Sequence, residues 1–344
     1  MIGQRLMQMR QARGLSLEAL AEAAGGVVTK QSLSKYERGS AAPSPEVAER
    51  LSAVLRVKVS HLRSSPPFSV EILAYRKGSR LIRREQRRIE SLTRHLVEQR
   101  ICLQDLLGLW QPTRLPVQGK AVETLAAAEE LAGQIRLSWN LGGGLVPSMT
   151  KLLEDHGVHV LEVDADERFD GLSAVVHDRR RQASQAAVAV RKGVSGDRQR
   201  LSLEHELAHL MGCASEAAAF RAGAALLVPA EAVRREIGTS REVIRPAELL
   251  LFKRRWGMSV QATLHRLRDL GIIRETCYRR WCIRATQLGW RKREPLPMPA
   301  ERGAFLRQCV QRALSANLLT RDEAEEMGEG DVETTPLLSL FGWS

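Results

Sequence analysis

A mainly helical chain with an α+β middle region follows from three features of the sequence. Short helices, each opened by a capping residue and closed by glycine, fill the first part; runs of small and β-branched apolar residues cluster between 158 and 191; helical spacing returns after Pro229. The 344 residues suffice for two or three units with cores of their own. The expected division is a bundle of four or five helices over 1–65, a basic helical linker over 66–118, an α+β unit over 119–240 and a helical C-terminal unit of unassigned role over 241–344.

Element by element, the first helix is expected over 3–13. Ser16 then caps LEALAEAA, which stops at Gly25 and Gly26; Thr29 caps KQSLSKYER, which stops at Gly39; Ser44 caps a helix that takes Pro45 at its first position. Hydroxyls satisfy the free N–H groups of a first turn, proline has no N–H to lose there, and glycine accepts the left-handed conformation that ends a helix. Pro66 and Pro67 mark a break. Across 79–107, Ile82, Ile89, Leu92, Leu96 and Leu103 recur at helical spacing among arginines, predicting a long connecting helix or helix pair that Pro112 and Pro116 close.

An alanine-rich helix, VETLAAAEELAGQIRLSW, comes next. A helix over 149–155 and the strand candidates VHVLEV, GLSAVV and AAVAVR precede the helix SLEHELAHLMG. Gly142, Gly143 and Gly144 lack the spacing of a phosphate-cradling loop and follow a helix instead of a strand, so no phosphate binding is expected there. Beyond Pro229, SVQATLHRLRDLGII has helix-turn character and RETCYRRWCIRATQLGWRKRE is strongly basic.

Composition narrows the partners. With 44% hydrophobic and 27% charged residues and no run of eighteen apolar residues, the chain is expected to be soluble and to have no membrane partner. Its amphipathic, arginine-bearing start is not a signal peptide, which points to the cytoplasm and, for a DNA binder, to the nucleoid. The five cysteines, Cys102, Cys213, Cys277, Cys282 and Cys309, form no CxxC pair and are expected to be reduced thiols.

A formal charge of +12 suits a polyanion such as DNA. Two stretches carry it, with nine basic and three acidic residues over 76–100 and seven and one over 274–293. Each is either a solvated helix face or a nucleic-acid surface, the latter through Arg279, Arg280, Arg284 and Arg291 in the second stretch. Residues 301–344 are acidic by contrast, with eight acidic against four basic side chains.

The motif that carries chemistry is HELAH. His205 and His209 lie four apart, so on a helix both imidazoles leave one face and can grip one ion. Glu206 adjoins the first histidine, placed to take a proton from a metal-bound water without being a ligand. Zinc lowers the pKa of such water from about 16 toward 7. Leu203, Leu207 and Leu210 fall on the opposite side, predicting a core-facing back and a free front.

A catalytic zinc keeps three protein ligands and one open position, so a third ligand is needed. Gly212 can end the helix and Ser215 can cap a second one that begins at Glu216, which makes Glu216 the leading candidate. Cys213 competes as a thiolate, and Glu204 projects off the histidine line. His156, His159 and His177 are expected in loops or on the surface.

Two resemblances follow from these segments. LSLEALAEAAGGVVTKQSLSKYERGSAAPSPEVAERLSAVLRV resembles the Xre/Cro class of phage-repressor helix-turn-helix domains, which implies a lambda-repressor-like unit. GDRQRLSLEHELAHLMG with EAAAFRAGAALLVPAE resembles the ImmA/IrrE family of metallopeptidases, and RRWGMSVQATLHRLRDLGII extends the likeness to regulators that fuse the two modules. The resemblance implies a zincin-like domain, dependence on Zn2+, a gluzincin-like site with His205 and His209 as ligands and Glu206 as base, and proteolysis of a repressor-type protein. Members often carry an acidic residue where this chain has Ala217, Ala218 and Ala219, and a phenylalanine near Ala222, so Glu216 is the acidic residue left.

In the N-terminal unit the resemblance places the recognition helix at 30–37. Lys30, Gln31 and Lys35 are then the base-edge candidates, Thr29, Ser34 and Arg38 contact phosphate or cap, and Leu20, Leu33, Leu51 and Tyr36 are core. The combined expectation is a homodimeric regulator of double-stranded operator DNA, acting in a stress, phage or mobile-element response. Its zinc endopeptidase cleaves a repressor or antitoxin-like protein. The alternative is a regulator whose metal domain senses or scaffolds without proteolysis.

Overall fold

The computed structural model describes residues 2–64, 68–77, 81–116, 121–291, 293–321 and 323–324. Five short helices come first: α1 (Ile2–Ala12), α2 (Leu17–Ala23), α3 (Lys30–Glu37), α4 (Pro45–Leu55) and α5 (Val59–Arg63). Ser16, Thr29 and Ser44 each accept the backbone N–H three residues on, at 3.0, 3.2 and 3.3 Å, so α2, α3 and α4 begin where the capping residues stand. Leu6, Met9, Leu20, Leu33, Leu51, Leu55 and Leu62 close a core among these helices, with Tyr36 packed at its margin. Arg10 clamps α1 to the end of α3 through both Glu37 oxygens, at 2.6 and 2.8 Å.

The stretch expected as a helical linker is built otherwise. It opens with a strand, β1 (Phe68–Lys77), and continues as one 25-residue helix, α6 (Arg83–Leu107). After α7 (Leu125–Ser138) and α8 (Met149–Asp155) come β2 (Val158–Val163), β3 (Phe169–Asp178) and β4 (Ala183–Arg191). The sheet runs β1-β3-β4-β2, with β3 antiparallel to β1 and β4, and β2 parallel to β4. Among the described residues four strands are thus present where three were expected, because β1 adds an edge to β3.

Both faces of the sheet are covered. Ala187 and Ala189 of β4, with Phe169, Leu172 and Val163, pack against Ile89, Val97 and Ile101 of α6. Ala186, Val188 and Val190 point to the other side, against α7, α8 and α9 (Gly196–Leu210). Alternate residues of one strand therefore serve two cores, and α6 is a layer of the fold. Its opposite side receives α1, where Arg5 reaches both oxygens of buried Glu98 at 2.5 and 2.6 Å.

The remaining helices are α10 (Glu216–Leu227), α11 (Ala230–Ile237), α12 (Pro246–Trp256), α13 (Val260–Asp269), α14 (Glu275–Gln287) and α15 (Phe305–Ser315). Leu249, Phe252, Leu264, Leu267 and Trp281 share one core with Leu203 and Leu207, so the expected boundary at 240 does not divide cores. Buried Lys253 holds Asp197 at 3.0 Å and Glu294 at 2.9 Å, tying α12 to the start of α9. α15 packs instead on Leu103 of α6. Among the described residues no helix is long and apolar enough to cross a membrane.

Candidate metal centre

HELAH lies in the C-terminal half of α9. Its front is covered, against expectation: Glu204, His205 and Glu206 are fully buried, because α10 closes over one side and the sheet over the other. Leu203 and Leu207 are core as expected, whereas Leu210 is only partly buried.

Three side chains converge at the helix end. His205 Nε2 and His209 Nε2 stand 3.1 Å apart; Glu216 places Oε2 3.2 Å from the first and Oε1 3.6 Å from the second. Two zinc bonds of ordinary length at the tetrahedral angle put their ligand atoms about 3.3 Å apart, so the donor set fits one such ion in type and spacing. The Nδ1–H of His209 donates to the Cys213 carbonyl at 2.8 Å, which leaves Nε2 as the lone-pair nitrogen facing the group. The Phe220 ring lies 4.4 Å from the His205 ring and limits its rotation.

Local chain geometry delivers Glu216. Gly212 has φ +97°, a conformation that turns the chain directly after α9. The Val122 N–H donates to the Gly212 carbonyl at 2.9 Å and pins that turn. Ser215 then accepts the Ala218 N–H at 3.2 Å and starts α10 with Glu216 as its first residue. Glu216 keeps 61% of its side chain exposed, so the group lies at the surface end of a buried helix.

Glu206 points to the sheet. A β-carbon on Gly171 of β3 would lie 2.8 Å from Glu206 Oε1 and 2.9 Å from its Cγ, so α9 approaches β3 this closely because residue 171 has no side chain. Gly171, Phe220 and the Cys213 carbonyl were not singled out from the sequence. A glycine in a strand is a weak signal, and a carbonyl gives none.

The other candidates lie elsewhere. Burial pushes the Cys213 thiol up to about 11, and its contribution here is its carbonyl. Glu204 faces Gly223 of α10, and burial raises its carboxyl well above the usual range. His156 stacks on Trp139, and His177 bonds Ser184 and Glu71 on the exposed sheet surface. His159 was expected in a loop or at the surface; it is buried on β2 against Gln185, and desolvation lowers it to about 4. A second group, His61, His95 and Glu98, also brings ligand atoms within 4.8 Å. There Arg5 already occupies Glu98, and burial with the Arg5 charge lowers His61 to about 4.

In the N-terminal unit, α3 presents Gln31, Lys35 and Arg38 to solvent. Lys30 is exposed but paired with Glu18 of α2, which lowers the Glu18 carboxyl. Thr29 is the helix cap, and the Ser34 carbonyl accepts Arg38 Nε at 3.2 Å. Several arginines of the two basic stretches have internal partners: Arg88 pairs with Glu85, buried Arg100 lies 3.8 Å from Glu154, Arg279 pairs with Glu275, and Arg284 lies over Trp281.

Residues 6–62 match the helix-turn-helix family, and the N-terminal unit is accordingly a DNA-binding helix-turn-helix module of the Xre-like type. No curated protein sequence matches the chain. A crystal structure of Bacillus thuringiensis PlcR in complex with the peptide PapR7 and DNA aligns over 99% of this chain and 95% of that one. Its identity is 9% and its TM-score 0.17, too low to carry an argument about the fold.

Proposed function

We propose that this DNA-binding regulator carries a zinc endopeptidase centre that cleaves a repressor- or antitoxin-like protein. The observation that carries the reading is the convergence of His205, His209 and Glu216 within ligand distance of one point, with the residue after His205, Glu206, buried between α9 and β3. His205, His209 and Glu216 would hold the ion and leave a fourth position open. Zinc supplies Lewis acidity there, acidifying water and polarising a peptide carbonyl. The Glu206 carboxylate accepts a proton from water and returns it to the leaving amine nitrogen. Gly171 sets the depth at which that carboxylate sits, and the Cys213 carbonyl keeps His209 in the ligating tautomer.

The first experiment is metal content by mass spectrometry on full-length protein purified without chelator. About one zinc per chain is expected, lost in His205→Ala and Glu216→Ala and kept in Glu206→Gln. Co-incubation with repressors encoded beside the gene then tests cleavage, which Glu206→Gln is expected to abolish. No cleavage by zinc-loaded wild type, or equal cleavage by Glu206→Gln, removes the endopeptidase reading and leaves a DNA-binding regulator with a metal-holding sensor domain. The operator is expected to be double-stranded and read by a homodimer, because such modules pair on half-sites.

A further inference from the structure

A cleft of about 880 Å³ opens between the first half of α9, the start of α10, α13 and the residues Trp290, Arg291, Arg293, Glu294 and Pro297. That volume is in the range of a ligand site. Phe220 belongs to both places: it lines the cleft and packs on His205. Ala217, the neighbour of Glu216, lines it too. Through Phe220 and Ala217 one end of the cleft adjoins the residues that hold His205 and Glu216.

The lining is unevenly charged. Its three carboxylates are already engaged, Asp197 and Glu294 by Lys253 and Asp269 by Arg268. Arg266 in turn is bound to Glu129. Four guanidinium groups face the cleft beyond these pairs. Arg191, Arg291 and Arg293 have no ion-pair partner among the described residues; Arg198, half exposed, pairs with Asp170 outside the lining at 2.6 Å. Like charges gathered in one concavity repel, and low-dielectric walls focus their field, so the arrangement attracts an anion. Trp290 and Leu201 add apolar wall between the charges.

We propose that this cleft holds an acidic stretch of the polypeptide to be cleaved, with Arg191, Arg198, Arg291 and Arg293 pairing with its carboxylates. The inference rests on the endopeptidase reading and names its substrate class. A nucleic-acid duplex does not enter a cleft of this volume, whereas an extended peptide does, and an extended peptide is the form in which a scissile bond reaches the metal group.

The test is fluorescence anisotropy on the full chain carrying Glu206→Gln, with a labelled peptide of alternating Glu and Ala and the same peptide with Gln for Glu. The acidic probe is expected to bind about tenfold tighter. That ratio should fall to near one when Arg191→Gln and Arg291→Gln are added, and should shrink as salt is raised. Equal affinity for both probes overturns the proposal. So does a ratio that survives the two arginine substitutions, which would place the acid preference on another basic surface such as α3. The centre and the cleft fail separately. Cleavage without any acidic preference overturns the cleft and spares the centre; a retained ratio with no cleavage by zinc-loaded wild type supports the cleft as an anion site and removes the centre.

Discussion

Gly171 and Glu206 meet where α9 lies on β3, and the fit there leaves no room for a methyl group. Gly171→Ala is therefore expected to displace the Glu206 carboxylate while leaving His205, His209 and Glu216 in place. Under the endopeptidase proposal, zinc content should stay near wild type and cleavage should fall about a hundredfold, the cost of misplacing a proton-accepting group by roughly 1 Å. Unchanged cleavage would show that Glu206 needs no such support. Asp178, at the end of β3, gives a pH-dependent case. Burial alone would raise its carboxyl, but hydrogen bonds from Arg181 and Arg180 outweigh burial and hold it at about 2. A carboxyl depressed on folding stabilises above its unfolded value near 4 and loses that contribution as pH falls toward 2. Asp178→Asn should thus cost about 2 kcal/mol at pH 7, roughly half of that at pH 3 and little at pH 2, measured by urea unfolding. The histidines and Glu206 were legible because their spacing along one helix is a local pattern. Gly171 was not, because its role exists only through a residue 35 positions away, and the Cys213 contribution is a backbone atom that any residue supplies.

At the scale of elements, the joint between α1 and α6 rests on a buried ion pair. Arg5 and Glu98 each keep 7% of their side chains exposed, and burial raises the Glu98 carboxyl while Arg5 pulls it down. Arg5→Ala would strand a buried carboxylate and is expected to cost about 3–5 kcal/mol. Hydrogen exchange should then rise in α1 and in the middle of α6, where Gln11 also meets Ser91 at 3.1 Å. Unchanged exchange would mean that apolar packing alone holds the joint. Helix starts were readable from Ser16, Thr29, Ser44 and Ser215, since a cap acts within three residues. The strand β1 was not readable. It is an edge strand whose sequence includes Glu71, Arg76 and Lys77, and its partner β3 lies some hundred residues on, at Phe68 opposite Asp178. The arginines around α6 suggested a solvated linker, although its Ile89, Val97 and Ile101 face is one wall of a core.

Across the whole molecule, the number of arginines overstates the surface offered to DNA, because buried or paired ones such as Arg5, Arg10, Arg100, Arg200 and Arg266 are neutralised by carboxylates within the protein. Sequence-specific binding should therefore depend on α3. Lys30→Ala with Gln31→Ala is expected to lower the preference for an operator over a scrambled duplex by about 1–3 kcal/mol for each base edge no longer read, measured by anisotropy at fixed salt. An unchanged preference would move the reading surface off the N-terminal end of α3. The composition announced a polyanion partner and the helix caps announced the module; the shared core of 119–240 and 241–344 stayed hidden, because it is made by packing between distant segments. The pairing of β1 with β3 also sets an order of events during synthesis. The helix-turn-helix core is complete by Leu62, whereas the sheet waits for Asp178 and the histidine group for Glu216. On a ribosome the DNA-binding module is therefore expected to fold first, with α6 emerging before the sheet it covers. A newly made chain acquires its DNA-binding module before His205, His209 and Glu216 can meet.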